Sequence, residues 1–290
     1  EERKMNSIKQ IEVIYNNRLV GRLALTREGL CAFEYSAEWL SSGFSISPFE
    51  LPLRSGVFIA KPRPFEGGFG VFDDCLPDGW GLLILDRYLQ QKGINPRTLT
   101  LLDRLALVGS TGRGALEFRP DNSVVTRQDF ADFEKLALEA EKILASDDYM
   151  GEGIEEFQDR GGSPGGARPK IFVRYNDKEW LVKFRAKRNS QSIGVDEYRY
   201  SLLAKECGIE MPETRLFEGK YFGVERFDRT LGGKLHVVSV AGLIGADYRL
   251  PSIDYKHIFQ VCAMLTHSVA ELWKVYRLMI CLLYTSDAAD

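Results

Sequence analysis

The residues best suited to chemistry in this chain follow one another in its second half, beginning with a glycine-rich stretch. This stretch, GGSPGGARPK at residues 161–170, contains four glycines and ends with two basic residues, Arg168 and Lys170. Glycine backbone can approach a ligand closely and can adopt positive φ, at a cost in conformational entropy. The composition therefore indicates that something other than stability selects these glycines.

Three interpretations of this glycine loop, residues 161–170, are open from its own residues. The first is a plain structural turn. The second is a Walker P-loop, since Gly161 and Gly166 have the required spacing, but Ala167 occupies the position where that motif needs lysine. The third is a kinase-type loop, whose backbone N–H groups cover the phosphates of ATP while a later strand supplies the lysine.

The order of the next motifs favours the kinase-type loop. The apolar strand WLVKF is interrupted by Lys183, and a lysine in such a place needs a negative partner. Glu197 begins the following helix and is placed to pair with Lys183, although a first-turn carboxylate can also simply favour the helix dipole. The stretch YFGVERFDR, residues 221–229, then ends a strand where a kinase has the hinge that binds adenine.

Elements of a small N-terminal unit, residues 1–150, precede these motifs. Alternating apolar residues over 11–25, with Asn16-Asn17 between them, predict a β-hairpin. Asp78 marks the start of a predicted helix that ends at Gly93. Further helices are predicted over 100–107 and over 126–146, the latter entered through Thr126 and Asp129. The acidic, glycine-bearing residues 146–162 indicate a boundary or a mobile lid, which places the seam near 150.

The second unit, residues 151–290, is predicted to hold the motifs on a sheet and helices. Two strands follow the glycine loop, and a helix covers about 195–207. A second pair of strands lies within 214–227. Asp254 and Ser268 have the character of N-caps for two further amphipathic helices. The fold class predicted from these patterns is α+β.

Composition excludes several classes of protein. The 290 residues are 44% hydrophobic and 27% charged, as in ordinary globular proteins, and the net charge of −3 argues against a dedicated nucleic-acid binder. The five cysteines have no metal-binding spacing, which favours a reducing compartment. Neither a signal peptide nor a membrane span is predicted, so we expect a cytoplasmic protein.

Taken together, the motifs resemble the HipA family, kinases found as toxins in bacterial toxin–antitoxin pairs. In the N-terminal part the matching stretches are VGRLAL, LPDGWGLLILDRYL and DRLALVGSTGRGALEFRP; in the C-terminal part they are SPGGARPK, WLVKF, VDEYRYSLLAKECGI and VERFDR. The resemblance implies a HipA N-terminal subdomain over 1–150. It also implies a protein-kinase-like fold over 151–290, with an incomplete C-terminal helical lobe.

The resemblance also implies site residues, cofactors and partners for an ATP-dependent serine/threonine protein kinase. Its ATP-binding residues would be the phosphate-covering loop Gly165, Gly166, Ala167, Arg168, Pro169 and Lys170, the phosphate-binding Lys183, and the hinge Glu225, Arg226 and Phe227. Ser163 would be autophosphorylated to inactivate the kinase, although Ser163 and Pro164 can also simply form a turn. ATP and Mg²⁺ are the implied cofactors. A helix-turn-helix antitoxin of HipB type and a protein substrate are the implied partners, with DNA contacted only indirectly, through the antitoxin.

The catalytic carboxylate and the Mg²⁺ ligands of this family are expected in a segment like D-x-H-x-K-N after a helix similar to WKVYRLMI. Here the chain continues as CLLYTSDAAD, whose Asp287 and Asp290 match nothing in that pattern, and Asp228 and Asp247 lack the expected neighbours. We therefore expect a truncated chain with no metal site and no kinase activity of its own. The alternatives are a non-catalytic protein-binding module with a vestigial nucleotide pocket, and a small-molecule kinase.

Overall fold

The first sheet of the protein follows from the alternation near its N-terminus. In the computed structural model, which describes residues 7–123, 131–161, 165–186 and 189–286, this sheet is antiparallel with strand order β4-β3-β2-β1-β5. Its strands are β1 (Gln10–Tyr15), β2 (Arg18–Leu25), β3 (Cys31–Tyr35), β4 (Val57–Ile59) and β5 (Leu116–Arg119). The predicted hairpin is confirmed, because Asn16 and Asn17 both have positive φ and join β1 to β2 as a two-residue turn.

Short helices cover one face of the first sheet. They are α1 (Ala37–Ser42), α2 (Gly70–Asp73) and α4 (Leu101–Val108), with α3 (Gly79–Gln91) between the last two. The first hydrophobic core joins the sheet to these helices through large buried side chains such as Phe33, Trp39 and Phe72. The helix predicted over 100–107 is α4, which Thr100 and Asp103 begin with a reciprocal capping box. We call this sheet with α1, α2 and α4 the first unit.

The second sheet carries the glycine-loop strands. Its antiparallel order is β6-β7-β9-β8, with strands β6 (Lys170–Tyr175), β7 (Lys178–Lys183), β8 (Thr214–Phe217) and β9 (Tyr221–Glu225). The helix α7 (Ile193–Glu206) joins β7 to β8 and packs against β8 and β9. Lys170 and Lys183 are directly paired across β6 and β7, so their side chains project from the same face.

The opposite face of the second sheet is the buried one. Three helices cover it: α3, α5 (Phe133–Ala145) and α6 (Gly153–Gly161). This second core therefore takes side chains from both sides of position 150, for example Trp80 and Phe157, whose rings meet edge to face at 5.0 Å. The two cores are separate clusters, and the predicted boundary near 150 stays a prediction.

Two predictions concern the residues between the two sheets: a boundary or mobile lid over 146–162, and a helix entered through Thr126 and Asp129. Residues 153–161 form a helix, not a lid, because Ile154 and Phe157 are spaced to bury on one face against the second sheet. The acidic residues and glycines of this stretch concealed that spacing. The predicted helix entry at Thr126 and Asp129 lies outside the described residues; α5 begins after Asp132, whose carboxylate accepts the Lys135 N–H at 3.0 Å.

The chain ends in helices, as predicted. A short hairpin of β10 (Arg229–Thr230) and β11 (Gly233–Lys234) leads to α8 (Val240–Ile244), α9 (Tyr255–Thr266) and α10 (Val269–Ser286). Asp254 caps α9. Many apolar side chains of α9 and α10 are exposed, including Trp273 at 58%. No helix within the described ranges is both long and apolar enough to cross a membrane.

Candidate functional site

The predicted partner of the strand lysine is in place. Nζ of Lys183, at the end of β7, lies 2.9 Å from Oε1 of Glu197 in the second turn of α7. Both side chains are about three-quarters buried, and Nζ also lies 5.3 Å from the centre of the Phe222 ring. Gly194 lets α7 approach the sheet, because an added Cβ there would lie 2.0 Å from the Lys220 carbonyl oxygen. The close packing of α7 thus determines where Glu197 lies.

Arg168 is a third member of this charged group. Its Nη1 lies 2.7 Å from the second carboxylate oxygen of Glu197, Oε2, so one carboxylate faces two cations. The contact is an ion pair whose N–H groups do not point at that oxygen, since Oε2 accepts no hydrogen bond within the described part of the chain. The buried Nε of Arg168 likewise donates to no described group. Two buried polar atoms of this charged group are thus without a hydrogen-bond partner among the described residues.

The described part of the glycine loop, residues 165–169, is held against the start of α3. The carbonyl of Gly166 accepts the Trp80 N–H at 3.1 Å, and the Gly166 N–H donates to the carboxylate of Asp78. Gly166 has φ of +90°, which disfavours other residues. Pro169 is buried and its carbonyl accepts the Phe184 N–H at 2.8 Å, which continues the sheet into the loop. Ala167 lies exposed at the tip.

Lys170 lies beneath this loop with only 4% of its surface exposed. Its ammonium donates to the carbonyl oxygens of Gly165 and Gly166. Burial, followed by the charge of Lys183, lowers the pKa of Lys170 from 10.5 to about 8, while the carboxylate of Asp78 acts in the opposite direction. The ammonium is therefore in an environment short of negative charge.

Sequence reasoning missed two residues that contact the loop. Asp78 was predicted only as a helix start; it does precede α3, but its carboxylate caps no helix N–H and accepts from Gly166 instead. Arg113 lies so close to Gly165 that an added Cβ would be 2.7 Å from its Nη1, and its buried Nε donates to no described group. The only sequence signal for Arg113 was its place in DRLALVGSTGRGALEFRP, one of the stretches that resemble the HipA family.

The predicted hinge segment, Glu225–Phe227, begins at the last residue of β9, and its three side chains have different surroundings. Glu225 pairs with Lys178 at 2.8 Å, and Phe227 is 61% exposed. Arg226 is buried, and its guanidinium lies 4.2 Å above the Phe172 ring on the sheet face that carries Lys183. The Arg226 N–H donates to the Glu179 carbonyl at 2.8 Å, whereas no described group accepts the Phe227 N–H.

Asp228 has neighbours that the sequence did not indicate. It is 6% exposed and accepts hydrogen bonds from Arg226, Arg229 and the backbone N–H of Gly114, at 2.8–3.0 Å. Burial alone would raise its pKa, but the hydrogen bonds and charges of the two arginines hold the pKa below its usual value. Asp228 is thus a paired, buried carboxylate.

The remaining residues considered in the sequence analysis lie either outside the described residues or elsewhere in the fold. Ser163, Asp287 and Asp290 lie outside the described residues. Asp247 pairs with Arg249 at 3.4 Å, next to the first unit. Over residues 7–123, 131–161, 165–186 and 189–286, no group of three or more His, Cys, Asp or Glu side chains is arranged to hold a metal ion.

An antiparallel sheet whose strand lysine pairs with a helix glutamate beneath a glycine loop is the small lobe of a protein-kinase-like fold. The chain belongs to the HipA family. Residues 11–119 match the family model for the HipA N-terminal domain, and residues 162–288 match that for the HipA-like C-terminal domain. Residues 120–161, between the two matches, include all of α5 and α6.

A solved structure shares the fold along nearly the whole chain. It is a chain of the Shewanella oneidensis MR-1 toxin–antitoxin complex of HipA, HipB and operator DNA, with a TM-score of 0.67 and 20% sequence identity. The match covers 97% of this chain and 70% of that chain. No curated protein matched the sequence significantly.

Proposed function

We propose that this chain binds Mg·ATP as the nucleotide-binding part of a HipA-type serine/threonine protein kinase. The observation that carries the proposal is the pair of Lys183 and Glu197 next to the glycine loop. In this role Lys183 binds the α- and β-phosphates, and the loop Gly165–Lys170 covers the phosphates with backbone N–H groups. ATP supplies the phosphoryl group, and Mg²⁺ offsets phosphate charge. The described residues form no Mg²⁺ ligand set, so no step is assigned to the metal.

The charge around the loop fits a triphosphate. Four cations interact there with two carboxylates: Arg113, Arg168, Lys170 and Lys183 against Asp78 and Glu197. This leaves a formal excess of two positive charges in a partly buried place. The Nε atoms of Arg113 and Arg168 are buried donors without described acceptors. Buried polar groups normally have hydrogen-bond partners, so these donors support an anionic ligand.

The hinge segment fits the base of the nucleotide. Adenine needs one N–H donor and one carbonyl acceptor from the hinge of a kinase, and the Phe227 N–H is uncommitted to any described group. The Arg226 N–H is not available, because it already donates to Glu179. We therefore assign the base contact to the backbone after Arg226, with the exposed Phe227 ring beside it.

The wider role is that of the toxin in a toxin–antitoxin pair. The family and the fold shared with a chain from the HipA–HipB–operator complex support a HipB-like antitoxin partner, through which the protein contacts DNA indirectly. The net charge of −3 agrees with indirect DNA contact. We further propose a cytoplasmic location for this protein, a protein substrate whose phosphorylation arrests growth, and autophosphorylation of Ser163 as the inactivating event.

Calorimetry with Mg·ATP on the 290-residue chain tests the proposal. Wild type binds, and Lys183→Ala weakens binding by about ten- to 100-fold, because a charged hydrogen bond is worth roughly 1.5–3 kcal/mol. Lys142→Ala is the matched control, since Lys142 is exposed on α5 and forms its ion pair with nearby Glu139, outside the proposed site. Absence of binding by folded wild type contradicts the proposal and favours the non-catalytic binding module.

A further inference from the structure

A buried cluster of charges lies directly behind the hinge segment. It consists of Arg226, Asp228, Arg229 and Glu179, which is on β7. The carboxylate of Asp228 accepts hydrogen bonds from Nε and Nη2 of Arg226, at 3.0 and 2.8 Å, so the two side chains form a bidentate pair. Such paired contacts orient a guanidinium more strictly than a single hydrogen bond does. The cluster is formally neutral, so it is not itself a site for an anion.

The cluster also binds backbone of the first unit. The Gly112 carbonyl accepts from Arg226 at 3.3 Å and from Arg229 at 2.9 Å. The Gly114 N–H donates to Asp228 at 2.9 Å, and its carbonyl accepts from Arg229 at 2.9 Å. These contacts join residues more than a hundred positions apart, between α4 and β5 on one side and the end of β9 on the other.

This arrangement determines the course of the hinge backbone. Arg226 is directed inward over Phe172, and the Arg226 carbonyl accepts the Arg229 N–H at 3.3 Å in a tight turn. Phe227, between the two anchored arginines, is the residue left to face outward. The direction of the Phe227 N–H is therefore a consequence of the contacts that Asp228 makes on both sides of it.

We propose that Asp228 is a positioning residue for the nucleotide base: it fixes Arg226 and Arg229 against Gly112 and Gly114 and so orients the Phe227 backbone. The inference rests on the proposed function. It adds a residue that touches neither phosphate nor base, and it makes the first unit part of the base site. Within the part of the chain that the structure describes, no hydrogen bond or ion pair joins Asp228 to Lys183, Glu197 or Arg168, so these phosphate-binding residues should act independently of it.

Two probes separate positioning of the base from general damage. Calorimetry of the full chain is carried out with Mg·ATP and with inorganic tripolyphosphate, which lacks the base. Asp228→Asn weakens ATP binding by about tenfold, since misdirected hinge hydrogen bonds are lost, while tripolyphosphate binding changes by less than about twofold. The control Asp177→Asn, at a turn residue whose side chain is fully exposed, leaves both affinities unchanged.

A milder variant covers the case in which Asp228→Asn does not fold, as judged by circular dichroism. Glu179→Gln removes only the outer carboxylate, which lies 3.2 Å from Arg226, and it produces the same selective loss to a smaller degree. Equal loss of ATP and tripolyphosphate binding, or unchanged ATP binding in folded variants, overturns the inference. If wild type binds neither probe, the proposed function itself fails, which is a distinguishable result.

Discussion

We expect the buried ammonium of Lys170 to make the proposed nucleotide binding depend on pH. Its pKa in the folded, ligand-free protein is lowered to about 8, first by burial and then by Lys183. A triphosphate next to it favours the charged form and raises that pKa again. Between about pH 8 and the raised pKa, binding therefore takes up a proton. We expect ATP affinity to fall by up to about tenfold per pH unit as the pH rises above 8.

The lowered pKa of Lys170 also makes the stability of the folded protein depend on pH. Because the pKa is lower in the folded state than in the unfolded chain, the folded protein binds fewer protons between about pH 8 and 10.5. The free energy of unfolding therefore increases with pH across this window. A shift from 10.5 to about 8 corresponds to about 3 kcal/mol for this nearly fully buried side chain. Below pH 8 the protein bears that cost in full.

Calorimetry with Mg·ATP from pH 7.5 to about 9.5 tests this reasoning, since phosphate groups, with a pKa near 6, do not titrate in that range. Lys170→Met keeps the apolar stem and removes the charge. The variant should bind ATP more weakly at pH 7.5 and show little pH dependence, and buffers of different ionisation enthalpy should report proton uptake only for wild type. The same pH dependence in both proteins would refute the assignment to Lys170.

Two further predictions concern packing. Gly194→Ala should weaken ATP binding several-fold, because the added methyl meets the Lys220 carbonyl and displaces α7 with Glu197 from Lys183. Gly232→Ala, where the atom nearest to an added Cβ is 3.8 Å away, is the calorimetric control. Phe157→Ala should lower the free energy of urea unfolding by about 3–5 kcal/mol, since its fully buried ring packs on Trp80.

Local signals account for what the sequence predicted well. The Asn16-Asn17 turn, the cap at Asp254 and the alternation around Lys183 each depend on residues close in the chain. The order of loop, lysine and glutamate then indicated which side chains would meet, and Lys183 and Glu197 do meet at 2.9 Å. Each of these predictions concerned a turn, a helix cap or the side of a strand on which a residue projects, and short stretches of sequence determine all three.

Contacts between distant segments could not be predicted in this way. Asp78 has the sequence character of a helix cap, and nothing near it indicates that its carboxylate accepts a hydrogen bond from Gly166. Asp228 lacked the sequence neighbours of a catalytic carboxylate and so had no predicted role, although its partner Gly114 lies in another motif. Helix α6 was missed because its polar composition outweighed two apolar residues whose burial depends on the second sheet.

Residues 112–114 connect both ends of the proposed nucleotide site. Arg113 lies against Gly165 of the glycine loop, while Gly112 and Gly114 on either side of it hold the arginines and Asp228 behind the hinge segment. A displacement of the whole segment, unlike the loss of the Asp228 contact alone, therefore moves the groups around the phosphates and around the base together. Coupling between two binding events is reciprocal. If a partner shifts the first unit when it binds and so changes the affinity for ATP, bound ATP must change the affinity for that partner by the same factor.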